Sequence, residues 1–164
     1  MYTIGVLESG GGLSSFLAAN LPAELRERVR LCPAASLPQG TRADLLVVSP
    51  DLRGEDAAPA VCRALLVPGR LSPLVGAVEA GWAVSYGVSP KDSLSLSSLG
   101  EKDLCLSLQR EVVTLTGDCL ECQELRLPRA SRTSPFHVLA CAGVQLLLGV
   151  PPEEVGVNEK KPAQ

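Results

Sequence analysis

Ala43-Asp44-Leu45-Leu46-Val47-Val48-Ser49-Pro50-Asp51 is the stretch that decides the fold. Four apolar residues in succession, stopped by the turn-forming Ser-Pro-Asp, read as a short buried strand of the kind a parallel sheet holds at its centre. The pattern recurs on either side. Tyr2 to Leu7 is an apolar run that breaks at Glu8-Ser9-Gly10-Gly11-Gly12, Val29 to Cys32 stops at Pro33, Arg63 to Val67 stops at Pro68-Gly69, and Ala83 to Val88 follows. After the first of these, Leu13, Phe16, Leu17 and Leu21 fall at helical spacing, and Glu24 to Arg28 either form a second short helix or close the first. Asp56 to Cys62 is expected as a brief helix, and Leu71 to Ala80 as a loop or short helix. Strands alternating with helical stretches at this spacing predict βαβ units and a mostly parallel sheet.

From Ser89 the texture changes. Ser93 to Leu99, Leu104 to Gln109, Val113 to Leu115 and Leu120 to Leu127 alternate apolar with polar residues, the mark of antiparallel strands with one wet face. Ser134-Pro135 then opens a helix, with Ser at the cap and Pro at the first helical position. Its buried face includes Val138, Leu139, Ala142 and Leu146, and Gly149-Val150-Pro151-Pro152 ends it. The expected architecture is an α/β, Rossmann-like layered domain over residues 1–157. Residues 1–88 form a βα-rich half with a mostly parallel sheet, residues 89–157 a β-meander and a closing C-terminal helix, and residues 158–164 a flexible polar tail.

Composition sets the bounds. At 164 residues the chain has the length of one domain, enough to bury about 70% of the surface its unfolded form exposes. Hydrophobic residues make up 46% and aromatic residues only 3%, so Leu, Val and Ala must build the core. The net charge of −3 comes with scattered Lys and Arg, whereas a nucleic-acid binder needs a basic face; neither nucleic acid nor an anionic membrane is an expected partner. Met1 to Leu7 lacks the basic start and apolar length of a signal peptide. The longest apolar run, Val138 to Val150, is interrupted by Gln145 and falls short of the ~20 residues that span a bilayer. These features predict a cytoplasmic protein whose six cysteines are reduced.

The candidate ligand site is the glycine turn and the helix start after it: Ser9, Gly10, Gly11, Gly12, Ser14 and Ser15. Backbone N–H groups and a helix dipole aimed into such a turn can hold an anion. A turn that merely tolerates unusual dihedrals explains the glycines more simply. The stretch lacks the Gly-Lys-Ser/Thr ending of a P-loop and the spaced glycines of a dinucleotide fingerprint, and Glu8 would repel a phosphate nearby. Cys119-Leu120-Glu121-Cys122 is a weak metal candidate, since structural zinc needs four ligands and no second pair matches. On an unbroken strand these two thiols would diverge. His137, the single histidine, has no nucleophile assignable to it, and Asp51 and Asp92 follow strand ends, where ligands bind in open α/β sheets.

One family likeness stands out. Val84-Ser85-Tyr86-Gly87, the Ser/Leu-rich alternating segment, Leu106-Ser107-Leu108 and Leu125-Arg126-Leu127-Pro128 resemble the end of the central domain of the Mur-type amide ligases. The helix with His137-Val138-Leu139-Ala140-Cys141, ending at Leu148-Gly149-Val150-Pro151, resembles that domain's Asn-Ala-Leu-Ala-Ala helix, with His137 where the family has Asn. The likeness runs from Ala43 to Pro152. It implies a bacterial setting and a scaffold shared with ATP-driven ligases. The family's P-loop, magnesium positions, carbamylated lysine and C-terminal domain find no counterpart here, so the resemblance implies a shortened scaffold that has lost ligation, and it carries over no catalytic residue and no cofactor. Two functions follow as expectations. One is a non-catalytic accessory or interaction protein that meets a protein partner, or itself, through the open edge of the meander. The alternative is a binder of a small anionic ligand, such as a nucleotide or phosphosugar, or a minor enzyme, using the Gly10-Gly11-Gly12 loop.

Overall fold

The computed structural model describes residues 1–34, 40–52, 60–71, 78–129 and 132–157. Its centre is one eight-stranded sheet built from β1 (Tyr2–Leu7), β2 (Val29–Ala34), β3 (Thr41–Val48), β4 (Ala60–Pro68), β5 (Val78–Gly87), β6 (Leu94–Leu99), β7 (Asp103–Leu108) and β10 (Glu124–Pro128). The strand order is β10-β7-β6-β5-β4-β3-β1-β2. From β2 to β6 every neighbouring pair is parallel, and β7 and β10 add antiparallel strands at one end. A separate small hairpin joins β8 (Val112–Val113) to β9 (Cys119–Leu120). Helices α1 (Gly12–Asn20) and α2 (Ala23–Arg26) follow β1, and α3 (Pro135–Leu147) follows β10. The architecture is a Rossmann-like layered α/β fold, as the alternating apolar runs predict.

The central strands are buried on both faces, which is why their sequences read as continuous apolar runs. On one face Ile4, Val6, Leu45, Val47, Leu66 and Tyr86 pack with Leu13 and Leu17 of α1 and with α3. On the other, Leu7, Leu46, Val48, Leu65 and Val67 form a second cluster with Leu52 and Leu71.

The meander extends the sheet with one change of direction. Alternation predicts an antiparallel start at Ser93, yet β6 runs parallel to β5 after a connection of only six residues (88–93). A parallel return normally needs a dozen residues or more. Here β6 begins level with the end of β5, pairs only through Tyr86↔Leu94 and Gly87↔Ser95, and carries on in the same direction, so no return is needed. Ser85 and Ser93 close the connection reciprocally, each hydroxyl accepting the other's backbone N–H at 3.4 and 3.1 Å.

Three other local expectations change. Ala60 to Cys62, expected to end a brief helix, open β4, because Thr41–Ala43 and Val78–Ala80 flank them as strand partners; Val78–Ala80 are likewise strand rather than loop. Residues 56–59 and 72–77 of those expectations, and the tail 158–164, lie outside the described residues. The strand expected over Leu120 to Leu127 is broken: Cys119–Leu120 pair with β8 and Glu124–Pro128 with β7, so two different partners claim its ends.

α3 is apolar all round, and every residue from Val138 to Leu147 is buried, as in a helix that forms core rather than covers it. Ser134 stands at its N-cap without a side-chain capping bond, and Pro135 occupies the first turn. Gly143 lets the helix approach the sheet: a Cβ there would lie 2.9 Å from Leu66 Cδ2 and 3.0 Å from Leu94 Cδ1. Gln145, fully buried in this apolar helix, holds the segment that follows. Its Nε2 donates to Gly156 O at 2.7 Å and its Oε1 accepts Gly156 N–H at 3.2 Å. No helix among the described residues is long and apolar enough to cross a membrane.

Gly143→Val should lower unfolding free energy by about 1–3 kcal/mol, the usual cost of overpacking a filled core. Urea unfolding checks this through a lower midpoint at unchanged slope.

Candidate functional site

In an open α/β sheet ligands gather outside the carboxyl ends of the strands, near the point where strand order reverses. That point lies between β1 and β3, where the glycine turn after β1 meets Ser49-Pro50-Asp51 after β3. A Cβ on Gly10 would stand 3.6 Å from Asp51 Oδ2, and one on Gly12 3.3 Å from His137 Cε1, so turn, strand end and α3 converge here. Gly11, the N-cap of α1, has φ 48°, in the left-handed region that favours glycine.

The turn supplies its own anion. Glu8 is 4% exposed, and its carboxylate accepts Ser14 N–H at 3.0 Å and the Ser14 hydroxyl in a short hydrogen bond. A carboxylate at the first turn of α1 satisfies a free N–H and the helix dipole together. Of the predicted ligand residues, Ser9, Gly10, Gly11, Gly12 and Ser15 are exposed and Ser14 is half-buried and committed to Glu8. Gly10, Gly11, Ser9 and Glu8 border only a shallow depression of about 220 Å³ with Pro33 and Ala34.

A larger concavity is bordered by Pro50. It measures about 530 Å³ and sits over the carboxyl ends of β3, β4 and β5. Pro50, Pro68, Tyr86, Val88 and Phe136 give it apolar walls, and Arg70 and Lys91 bring two cations to it. The Tyr86 side chain is fully buried, and its hydroxyl donates to Val48 O at 2.6 Å. Burial pushes its pKa far above the ordinary phenol value, against a smaller opposing pull from Arg70. The Arg70 guanidinium donates through Nη2 to Pro50 O in a short bond.

Asp92 builds the wall beside these groups. It is 6% exposed, and its carboxylate lies where side chains on Gly69 and Gly87 would be; a Cβ on Gly87 would come within 2.6 Å of Oδ2, and one on Gly69 would overlap the group outright. Oδ2 also accepts Ser89 N–H at 3.1 Å, and Asp92 N–H donates to Ser89 O at 3.0 Å. This tight turn, fixed further by Lys91 N–H to Ser89 Oγ at 3.2 Å and by Arg110 Nη2 to Lys91 O at 2.8 Å, presents Lys91 to the cavity.

His137 packs its ring 5.8 Å from that of Phe16. Burial lowers its pKa, and the Asp51 and Glu8 carboxylates pull it partly back. Two hydroxyls at this edge are engaged: Ser14 donates to Glu8, and fully buried Ser49 donates to Asp51 in another short bond. Cys119, in β9, and Cys122, in the break before β10, lie far along the chain from this edge, and both are exposed. The chain between them is not a continuous strand, so nothing forces the two thiols onto opposite faces. The Cys119 thiol is pushed up by local desolvation and then by the Glu111 and Glu121 carboxylates, with Sγ 3.6 Å from Glu111 Oε2. Among the described residues no group of three or more His, Cys, Asp or Glu is placed to hold a metal.

Sequence reasoning passes over Arg70 and Lys91. The available signal is position: Arg70 follows the strand-ending Pro68-Gly69, and Lys91 follows Gly87 by four residues, both just past a buried strand. No protein-family model matches the chain, and no curated protein matches it.

Two outcomes follow. The folded state binds a proton at His137 less readily than the unfolded chain does. The neutral ring's contribution to stability is thus complete above about pH 6.5 and is lost as pH falls through the lower folded value. Denaturation between pH 7.5 and 5 should show the parent losing more stability on acidification than His137→Gln. A thiolate is the reactive form, so Cys119 should alkylate slowly at pH 7, and Glu111→Gln should speed it, as read by mass spectrometry of the labelled peptide.

Proposed function

We propose that the protein is a non-catalytic binding scaffold that takes a small organic molecule into the cavity over β3, β4 and β5. The observation that carries this reading is the cavity itself, whose volume of about 530 Å³ falls in the range of small-molecule sites and whose walls combine apolar side chains with a few polar groups. A binding rather than a catalytic role is supported by the engagement of three nearby hydroxyls: Ser14 and Ser49 are bonded to carboxylates, and Tyr86 to a backbone carbonyl. The likeness of Ala43 to Pro152 to Mur-type ligases supports the same picture, a shortened scaffold of that kind without ATP-driven ligation. Six free thiols suit a reducing cytoplasm.

The glycine loop as the anion site has weaker support, because the Glu8 carboxylate already holds the start of α1 and would repel a second anion. Docking of a protein partner along the meander edge also has weaker support. The edge strand β10 is only five residues long, exposes Glu124 and Arg126 and ends in Pro128, and such features discourage strand addition. Arg126 is further tied back to Asp103 at 2.7 Å.

A thermal-shift screen of small organic acids, amides, amines, nucleosides and phosphosugars tests the reading. A ligand present at a hundred times its dissociation constant should raise the melting temperature by roughly 5–10 °C for a domain this size. Val88→Trp, which fills the cavity from its rim, should abolish the shift; a shift that survives it would place binding elsewhere.

A further inference from the structure

We infer that the cavity is built for a flat, apolar molecule carrying one carboxylate or phosphate group, with Arg70 and Lys91 gripping the charged end. The inference rests on the binding reading above and adds the chemical class of the ligand. Arg70 and Lys91 come from two different strand-end turns, after β4 and after β5, and line the same concavity. Among the described residues neither is in an ion pair; the two ion pairs are Arg63–Asp44 and Arg126–Asp103. In a chain of net charge −3, two unpaired cations converging on one hollow make it locally favourable to an anion.

The Arg70 guanidinium and the backbone that carries Lys91 are both held in place before any ligand arrives. Arg70 spends one N–H on Pro50 O and keeps further donors of its planar fork for a carboxylate or phosphate. Lys91 is set by the Ser89–Asp92 turn and by Arg110. The one carboxylate in the wall, Asp92, is lodged against the backbones of Gly69 and Gly87 and accepts the Ser89 N–H, which engages its charge locally.

The rest of the lining selects the body of the ligand. The Tyr86 hydroxyl is bound to Val48 O, so that side chain has no free donor to offer. Pro50, Pro68 and Phe136 add apolar surface, and Val88 stands 64% exposed at the cavity, one of the few large apolar side chains so exposed among the described residues. A flat apolar body laid against Phe136 and Val88 would remove that surface from water. The volume is too large for a free inorganic ion, and it suits a ring system with one or two substituents.

Titration calorimetry with 2-naphthoate, indole-3-acetate, phenyl phosphate, the matching neutral amides of the two acids, and inorganic phosphate tests this. The aromatic anions should bind about tenfold or more tightly than their amides, and raising the salt concentration should narrow that gap. The double variant Arg70→Ala/Lys91→Ala should bring the anions down to the level of the amides, with its melting temperature confirming that it folds. Preference for phenyl phosphate over the carboxylates would assign a phosphate ester, and the reverse a carboxylic acid. Amides that bind as well as acids, or a double variant that binds acids like the parent, would overturn the charge recognition while leaving the binding scaffold standing. Inorganic phosphate binding as tightly as the aromatic anions would overturn the apolar half of the inference. Heat from none of the probes, together with a flat thermal-shift panel, would remove both this inference and the reading beneath it.

Discussion

The close seating of α3 on the sheet is the constraint on which the rest of the molecule depends. A helix buried on all sides can sit this near only where a side chain is missing, and Gly143 provides the gap into which Leu66 of β4 and Leu94 of β6 project. Those two leucines belong to the parallel half and the meander respectively, so one helix residue joins them into a single core. The same seating sets both ends of α3. Its first turn carries Phe136 and His137 to the carboxyl edge of the sheet, and its last turns bind Leu115 N–H through Leu147 O and Gly156 through Gln145. Gln145 shows why a polar residue is tolerated at the heart of an apolar helix: both polar atoms of its amide are matched by one backbone unit, so burial leaves no unmet hydrogen bond there.

At the carboxyl edge, charge as well as size distinguishes the two hollows. The glycine turn after β1 has the backbone form of an anion site, but Glu8 reaches back to Ser14 and neutralises the helix start from within. Three strands further along the sheet, past the end of β5, the buried acidic group is Asp92. Asp92 fits between Gly69 and Gly87, and the turn it braces places Lys91 in the lining of the cavity that Arg70 also lines. One buried carboxylate thus occupies the start of α1, and another, lodged against glycine backbone, braces the wall of the cavity. In each case the side chains around the carboxylate, more than the fold class, decide what chemistry the edge can support.

The staggered start of β6 has a structural effect of the same kind. Because β6 continues in the direction of β5 instead of turning back, the chain between them crosses the carboxyl edge as a compact turn, and that turn forms one wall of the cavity. The reciprocal Ser85–Ser93 bonds hold its base. A tight antiparallel hairpin at this point would have reversed the chain directly, without the Ser89–Asp92 turn that carries Lys91.

The sequence by itself determined the parallel core and the closing helix. Runs such as Leu45 to Val48 and Ala64 to Val67 are apolar because both faces of the sheet must be covered, and Ser134-Pro135 and Gly149 mark the bounds of α3 by local backbone preference alone. These are short-range consequences of burial and dihedral restriction, and they survive in any one-dimensional reading. Which strand pairs with which is a different matter. Leu120 to Leu127 alternates like one strand, yet its two ends are claimed by β8 and β7, and Ala60 to Cys62 take strand form because Thr41–Ala43 and Val78–Ala80 flank them. The convergence of Arg70 and Lys91, 21 positions apart, likewise exists only once β4 and β5 lie side by side in register. Hydrophobic pattern and turn chemistry act over a few residues, whereas a binding site is made by the register of distant strands, so only the tertiary structure could bring its parts together.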